Sequence, residues 1–251
     1  VYQNLGTVLL RQNRLDEADA CFYTALELNP QFDPAFFGRG EVAKKTGNLI
    51  EAQRLYEAAI RLNSGDSAYR YVYAQVLLQS GKIKEGKQEL QKARRLKSEY
   101  HLQHAHRLAQ QKDWQETLRY LKLSVDADPT LVEAVQDLAY LQTQLDDLTA
   151  AESTLSLGLL NKPNWAPGYW QRGKIKKRIS DFIGAESDFR KAIKLSPDAA
   201  PPKISLAKLL VETGKNLDQA LELAQTAIEI DPKPEFQEVM KMIRKQTKSE
   251  K

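Results

Sequence analysis

Three histidines within six positions of one another are the residues best suited to chemistry. His101, His104 and His106 are the histidines of the 251-residue chain. His101 and His104 are three residues apart and would share one face of a helix, so the pair could hold a metal ion. A third ligand is not evident, because Glu99, the nearest candidate, is poorly placed for it. We therefore interpret the pair as core histidines and expect no metal site and no cofactor.

Other catalytic signatures are missing from the sequence. It contains no G-x-S-x-G, no H-E-x-x-H and no glycine-rich loop that could cradle a phosphate. Cys21, the single cysteine, stands beside Phe22 without a nearby histidine, which favours a buried small side chain over a nucleophile. One cysteine also excludes an intrachain disulfide. We therefore predict that the chain is not an enzyme.

Composition indicates a soluble globular protein. Hydrophobic residues make up 42% of the chain and charged residues 28%, and the formal net charge of +4 is too small to indicate nucleic acid by itself. No apolar run reaches the ~18 residues that a membrane-spanning helix requires. There is no secretory signal, and a cytoplasmic location is the expectation. Val1 already lies inside a helical motif, so a targeting signal or further repeats could precede it.

The elements that would position these residues recur along the chain. Two alanines, an aromatic residue and a residue that ends a helix return at a fixed spacing, with 34 residues between Ala18 and Ala52. A period of this length indicates a stacked repeat array. The three clearest copies are Ala18, Phe22, Ala25 and Pro30; Ala52, Tyr56, Ala59 and Ser64; and Ala185, Phe189, Ala192 and Pro197.

Glycines inside the predicted helices support the same interpretation. Gly6, Gly40 and Gly173 fall in the middle of helical patterns, where glycine costs roughly 1 kcal/mol relative to alanine. Close approach of a neighbouring helix would offset that cost. We expect the recurring aromatic residues, such as Tyr56 and Phe189, to fill the space beside the small residues.

The first repeat carries a motif of apolar and small residues, which are Tyr2, Leu5, Gly6, Leu9, Ala18, Phe22, Ala25 and Pro30. This motif resembles the tetratricopeptide repeat (TPR). That resemblance implies an all-α, right-handed superhelical solenoid of about seven helix-turn-helix repeats with a C-terminal capping helix. The predicted array occupies 1–232, with repeats at 1–32, 33–66, 67–97, 98–131, 132–165, 166–199 and 200–232.

Two places depart from the regular spacing. About three residues are missing near Ser98–Leu102, where no proline marks the junction, so we expect a local break in regularity there. The turn around 215–217 carries one extra residue. After the array, 233–247 has an apolar helical face that predicts a cap, with membrane-surface binding as the alternative, and 248–251 is expected to be a flexible tail.

The resemblance implies that the first helix of each repeat lines a concave groove. This surface mixes aromatic, amide and charged side chains, as recognition surfaces do. Some of these aromatic residues could instead pack between repeats. The predicted peptide-binding residues are Phe37, Glu41, Tyr71, Gln75, His106, Tyr140, Trp170, Lys174, Lys177, Arg178 and Lys208.

Charge is unevenly distributed along this groove. The segment 172–208 carries ten basic and four acidic residues. We expect Lys174, Lys177, Arg178 and Lys208 to face one concavity. This favours an acidic peptide or a C-terminal carboxylate as ligand, with Trp170 and Tyr140 as apolar anchors.

The predicted function is therefore that of a protein–protein interaction scaffold or adaptor. Two alternatives stay open. The chain could be the substrate-recruiting TPR region of a larger enzyme whose catalytic domain lies elsewhere, or it could bind nucleic acid through the basic segment 172–208.

Overall fold

The computed structural model describes residues 1–249 and consists of α-helices joined by short turns, with no β-strand in that range. The predicted all-α fold class is confirmed. The helices are α1 Tyr2–Arg11, α2 Leu15–Leu28, α3 Asp33–Lys45, α4 Leu49–Leu62, α5 Ser67–Gln79, α6 Ile83–Gln110, α7 Trp114–Ala127, α8 Val132–Gln144, α9 Leu148–Asn161, α10 Ala166–Arg178, α11 Phe182–Leu195, α12 Ala200–Glu212, α13 Leu217–Ile230 and α14 Pro234–Ser249.

The helices form two compact units, Val1–Gln103 and His104–Lys251. In the first unit each helix from α1 to α4 packs against the next helix in sequence. Its cores are built around the fully buried rings of Phe22 and Tyr56. Cys21 is half-buried and packs against the first of these cores, as a small apolar side chain would.

In the second unit the helices from α7 to α14 also pack in sequence order. The core of the last repeats extends into α14, where Phe236, Val239, Met240 and Ile243 are buried. The apolar face of α14 therefore caps the array, as predicted. Helix α14 continues to Ser249, two residues into the segment predicted as a tail, and residues 250–251 lie outside the described residues.

Helix α6 is the main departure from the regular pattern. It runs without interruption from Ile83 to Gln110, a length of 28 residues against 10 to 16 for the other helices. The predicted repeat boundary at 97/98 falls inside it, and the missing residues are those of a turn. Nothing in the sequence around that boundary stops a helix, because 87–110 contains neither proline nor glycine.

A common turn precedes the second helix of most pairs. One residue adopts a positive φ angle, and the Asp or Asn side chain at the helix start accepts a hydrogen bond from the backbone N–H three residues ahead. The positive φ is taken by glycine in some turns and by residues such as Lys112 and Ser180 in others. The capping residues are Asn48, Asp113, Asp147, Asp181 and Asn216.

Two mid-helix glycines show the close approach that the sequence predicted. A Cβ atom on Gly40 would lie 2.6 Å from the ring of Tyr56, and one on Gly173 would lie 2.7 Å from the ring of Phe189. Any larger side chain would displace these buried rings. The glycines therefore allow the aromatic residue of one helix to press against the backbone of its partner.

Candidate functional site

A cavity of about 340 Å³ opens beside helices α8 and α10 in the second unit. Its floor is apolar and includes Leu155 and Ile175, both of which are buried. Its rim is polar or aromatic. The rim residues are Gln136, Tyr140, Thr143, Gln144, Trp170, Gln171, Lys174 and Arg178.

Four predicted groove residues meet at this cavity. Tyr140 and Trp170 stand on successive first helices of the pairs, and Lys174 and Arg178 follow Trp170 at intervals of one helical turn. Tyr140 is 67% exposed, so its ring is available for contact with a ligand. The arrangement combines aromatic surface with two cationic groups.

Trp170 lines the cavity and also contacts the core of the second unit. Its indole Nε1 donates a 2.9 Å hydrogen bond to Ser205 Oγ on α12, and the ring packs against the core of the unit. Lys174 Nζ lies 4.8 Å from the centroid of the same ring, within reach of a cation–π interaction. Among the described residues, Lys174 makes no ion pair, so its charge is available at the rim.

Arg178 is held by an acidic residue of a turn. Its Nη2 donates a 2.7 Å hydrogen bond to Asp146 Oδ1, and both side chains are exposed to solvent. Asp146 is also the positive-φ residue of the turn between α8 and α9, with φ of 60°. Exposed pairs of this kind contribute little stability.

A second cavity of about 540 Å³ lies between α10, α12 and α14. Lys177 and Lys208 line it together with Val239 and Met242, and Lys177 forms an ion pair with Glu212. The structure therefore divides the four basic residues between two cavities. Lys174 and Arg178 line the first cavity, and Lys177 and Lys208 line the second beside α14, so the expectation that all four face one concavity stays a prediction.

Much of the basic segment 172–208 is neutralised internally. Arg172 donates two 2.7 Å hydrogen bonds to the carboxylate of Asp188, and Lys176 Nζ lies 3.3 Å from the same group. The hydrogen bond to Asp188 raises the pKa of Arg172, although burial opposes this. Arg190 likewise pairs with Glu186. The number of charges available to a partner is therefore smaller than the sequence count.

Two predicted groove residues of the first unit, Phe37 and Glu41, make contacts with residues of their own unit. Phe37 stacks on Tyr69 with ring centroids 4.5 Å apart, so it serves packing. Glu41 accepts hydrogen bonds from Tyr56 Oη at 2.5 Å and from Lys44 Nζ at 2.8 Å.

Burial, together with the bond to Glu41, raises the pKa of Tyr56 above its ordinary range. Tyr71 and Gln75 are exposed on α5 and stay candidates for contact with a partner.

Each of the three histidines has its own contact. His104 stacks on Tyr120 with ring centroids 5.1 Å apart, and His101 lies edge-on to Tyr100. His106 is exposed, and its Nε2 lies 2.7 Å from Asp137 Oδ2 on α8. The three histidines therefore contact different side chains.

Several residues of these sites escaped sequence reasoning. Asp146 pairs with Arg178, 32 positions away, and Glu212 pairs with Lys177, 35 positions away. No local sequence pattern predicts pairs at such a separation. Met242 had no role in the sequence prediction, yet it lines the second cavity. The capping role of α14 did suggest that its residues would border the last repeats.

Comparison with known families settles the identity of the repeats. Sequence models described as tetratricopeptide repeat match residues 43–101, 108–172 and 180–243, and a second model with the same description matches 1–32. The chain belongs to the tetratricopeptide repeat family. As a TPR protein it is a helical scaffold of the kind that binds protein or peptide partners.

The curated relatives of this TPR protein include a much longer enzyme. The human protein O-mannosyl-transferase TMTC3 is 24% identical over 233 residues, which is 92% of this chain and 22% of that protein. The mouse TMTC3 is 30% identical over 80 residues, covering 32% of this chain and 9% of the mouse protein. The chain therefore spans less than a quarter of the length of these relatives.

Solved TPR structures are similar to this chain at low sequence identity. A tetratricopeptide repeat protein from Parabacteroides merdae is 14% identical, with 97% of each chain covered and a TM-score of 0.47. YrrB, described as a TPR protein with an unusual peptide-binding site, is 15% identical, with 86% of this chain and 94% of that chain covered and a TM-score of 0.45. Within residues 1–249 of the present chain, no helix has both the length and the apolar character needed to cross a bilayer.

Proposed function

We propose that this TPR protein is an interaction module that holds an acidic peptide segment in the cavity lined by Tyr140, Trp170, Lys174 and Arg178. The observation that carries the proposal is the cavity itself, which combines an apolar floor, two aromatic rings and two cations within about 340 Å³. Peptide sites of this kind use apolar pockets for affinity and a few polar groups for orientation.

The charged groups favour a carboxylate ligand. Lys174 carries a charge that no described acidic residue neutralises, and Arg178 is held by one exposed carboxylate that a ligand can replace. A side-chain or C-terminal carboxylate placed between them would accept charge-assisted hydrogen bonds from both residues. An apolar side chain of the same peptide would then contact Tyr140 and the floor at Leu155.

The amide side chains at the rim suit an extended peptide backbone. Gln136, Gln144 and Gln171 each offer a carbonyl acceptor and an NH₂ donor, which match the N–H and C=O groups of a peptide. Such contacts are independent of sequence. Specificity for the ligand would therefore come from the aromatic and cationic residues. Phe37, Glu41, Tyr71, Gln75, His106, Lys177 and Lys208 stay predicted groove residues outside this cavity.

A second candidate function rests on the relatives. The match to human TMTC3 extends over 92% of this chain, which favours a role as the TPR region of a larger enzyme. In that setting the cavity would recruit a protein substrate to a catalytic region outside the present sequence. The two candidates share one binding site and differ in the fate of the bound partner.

Nucleic acid is the weaker alternative. Arg172, Lys176 and Arg190 are already paired with acidic residues, so few of the cations in the basic segment remain for phosphates. A protein that neutralised several phosphates would lose affinity steeply as salt increases.

The proposal is tested by fluorescence anisotropy with labelled synthetic peptides of equal length. The panel contains acidic, neutral and basic sequences, each with a free and an amidated C-terminus, and a labelled single-stranded RNA serves as a competitor class. We expect the acidic peptides to bind best. Substituting Lys174→Glu should weaken that binding more than about fivefold, or ~1 kcal/mol, because it reverses a charge at the rim.

Lys194→Glu is the matched control, since Lys194 is an exposed lysine of the same basic segment that does not line the cavity. Tyr140→Ala tests the aromatic contact without disturbing the core, which Trp170→Ala would do. Equal losses for the Lys174 and Lys194 variants, or no saturable binding of any peptide, would contradict the proposal. Preferential capture of the RNA would favour the nucleic-acid alternative.

A further inference from the structure

One side-chain cluster outside the peptide cavity brings together three residues that commonly bind metals. His106 near the end of α6 and Glu133 and Asp137 of α8 each offer a donor atom, and the three atoms lie within 4.8 Å of one another. Glu133 and Asp137 are four residues apart, so both carboxylates emerge from one face of α8. His106 reaches the same point from α6, with Nε2 2.7 Å from Asp137 Oδ2.

The donor set and spacing suit a tetrahedral ion. One imidazole nitrogen and two carboxylate oxygens are ligands of zinc and of other divalent transition metals. Two donors bound at about 2.0–2.2 Å to one tetrahedral ion are themselves about 3.3–3.6 Å apart. His106 and Glu133 are exposed, so rotation of their side chains can close the remaining distance, and an ion can enter from solvent.

The contacts within this cluster leave part of its negative charge without a compensating positive charge. Two carboxylates one helical turn apart repel each other, and the 2.7 Å contact of His106 involves Asp137. A divalent cation would neutralise both acids at once. The negative charge of the two carboxylates is therefore greater than a single contact with His106 can neutralise.

We propose that His106, Glu133 and Asp137 bind a divalent transition-metal ion of the zinc class. The ion takes the place of the proton shared between His106 Nε2 and Asp137, and that proton leaves to solvent. Three protein ligands leave one tetrahedral position for water or for a donor from a bound partner. The site joins the last turns of α6 to α8.

This assignment departs from the absence of a metal site expected from the sequence. That expectation considered His101 and His104 because they share a helical face, and it lacked a third ligand. The third histidine is the one that contributes, and its acidic partners come from the next repeat, 27 and 31 residues later. None of the three ligands lines the peptide cavity, so the metal proposal stands or falls separately from the proposed function.

The direct test is isothermal titration of ZnCl₂ into the full chain after treatment with EDTA and dialysis. We expect one saturable site per chain. Asp137→Asn and Glu133→Gln, which keep size and remove a ligand charge, should each weaken zinc binding by more than about tenfold. Circular dichroism checks that both variants keep their helix content, which the exposed positions of these side chains favour.

Two matched controls separate this site from adventitious binding. Asp126→Asn removes an exposed acid of the neighbouring α7, and His104→Gln removes a histidine of the same helix that stacks on Tyr120. Both controls should leave the zinc affinity unchanged. Visible absorption of bound Co²⁺ provides a second measurement, because tetrahedral and octahedral Co²⁺ absorb with very different intensity.

Three results would overturn the assignment. One is the absence of a saturable zinc site in the native chain. Another is equal weakening by the control and the ligand substitutions, which would indicate scattered surface donors. The third is competition by equimolar Ca²⁺, since a hard cation would need only the carboxylates and would leave His106 without a role.

Discussion

At the scale of single residues, the ion pair of Arg172 and Asp188 places two charges where they are largely shielded from water. The side chain of Asp188 is 5% exposed and accepts hydrogen bonds from two nitrogens of Arg172. Arg172 also lies 5.6 Å above the ring of Tyr169 and donates to Ser156 Oγ. The two charges are therefore compensated by each other and by these hydrogen bonds, and the pair connects α10 to α11.

Removal of Asp188 tests this interpretation. Asp188→Ala leaves Arg172 and Lys176 without their acid in a mostly buried setting, and we expect a loss of ~3–5 kcal/mol in the free energy of unfolding. Urea unfolding followed by circular dichroism measures it. Glu186→Ala, which removes the acid of the more exposed pair with Arg190, should cost less than ~1 kcal/mol. Similar losses for both variants would contradict the assignment.

The same residues show how far the sequence predicted the site. Tyr140, Trp170, Lys174 and Arg178 follow from the repeat register, because equivalent positions of successive first helices point in one direction. The partner of Arg178 could not be predicted, because Asp146 belongs to a turn whose side-chain direction depends on a positive φ angle. The positions of these residues along the helices follow the repeat, whereas the acidic partners of the basic ones depend on tertiary contacts.

At the scale of elements, helix α6 replaces the second helix of one repeat and the first helix of the next. The sequence held the signal for this, since no proline marks the junction and three residues of spacing are missing. A helix continues through residues that favour it until something stops it, and here nothing does. The predicted repeat boundary was drawn from the average period, which assumes a turn in every repeat.

A proline substitution distinguishes a continuous helix from a turn. Lys97 is exposed in the middle of α6, where Lys97→Pro would remove one backbone hydrogen bond and introduce a clash, at a cost of ~3 kcal/mol or more. Lys97→Ala serves as the control and should be neutral or slightly stabilising. Urea unfolding of both variants gives the comparison. A tolerated proline would mean that the chain turns at this junction.

At the scale of the whole molecule, stability is distributed among neighbours. Helices α1 to α5 and helices α7 to α14 pack mainly against the helices before and after them in their own unit, so a local defect should stay local. The fold class and the capping helix could be predicted because the same pattern of small and apolar residues recurs along the chain. The division into two units could not, because it depends on the density of contacts and not on any motif.

Gly40→Ala tests how far a defect spreads. The new Cβ would lie 2.6 Å from the buried ring of Tyr56, and overpacking of this kind costs ~1–3 kcal/mol. We expect faster amide hydrogen exchange in α3 and α4, with α12 and α13 unchanged. Gly65→Ala, whose Cβ would meet only Asn63 Oδ1 at 4.0 Å, should change neither region. Faster exchange in α12 and α13 would indicate a molecule that opens as one cooperative body.

The unbroken course of α6 also governs how this protein can be divided. Proteases cut exposed, extended segments, and residues 83–110 offer none between the first unit and the second. A gene truncated at the boundary would sever the helix through its hydrogen-bonded middle, leaving as many as about four carbonyl groups in one fragment and four N–H groups in the other without partners. A truncation that leaves α6 intact must therefore fall in the turn before Ile83 or in the turn after Gln110.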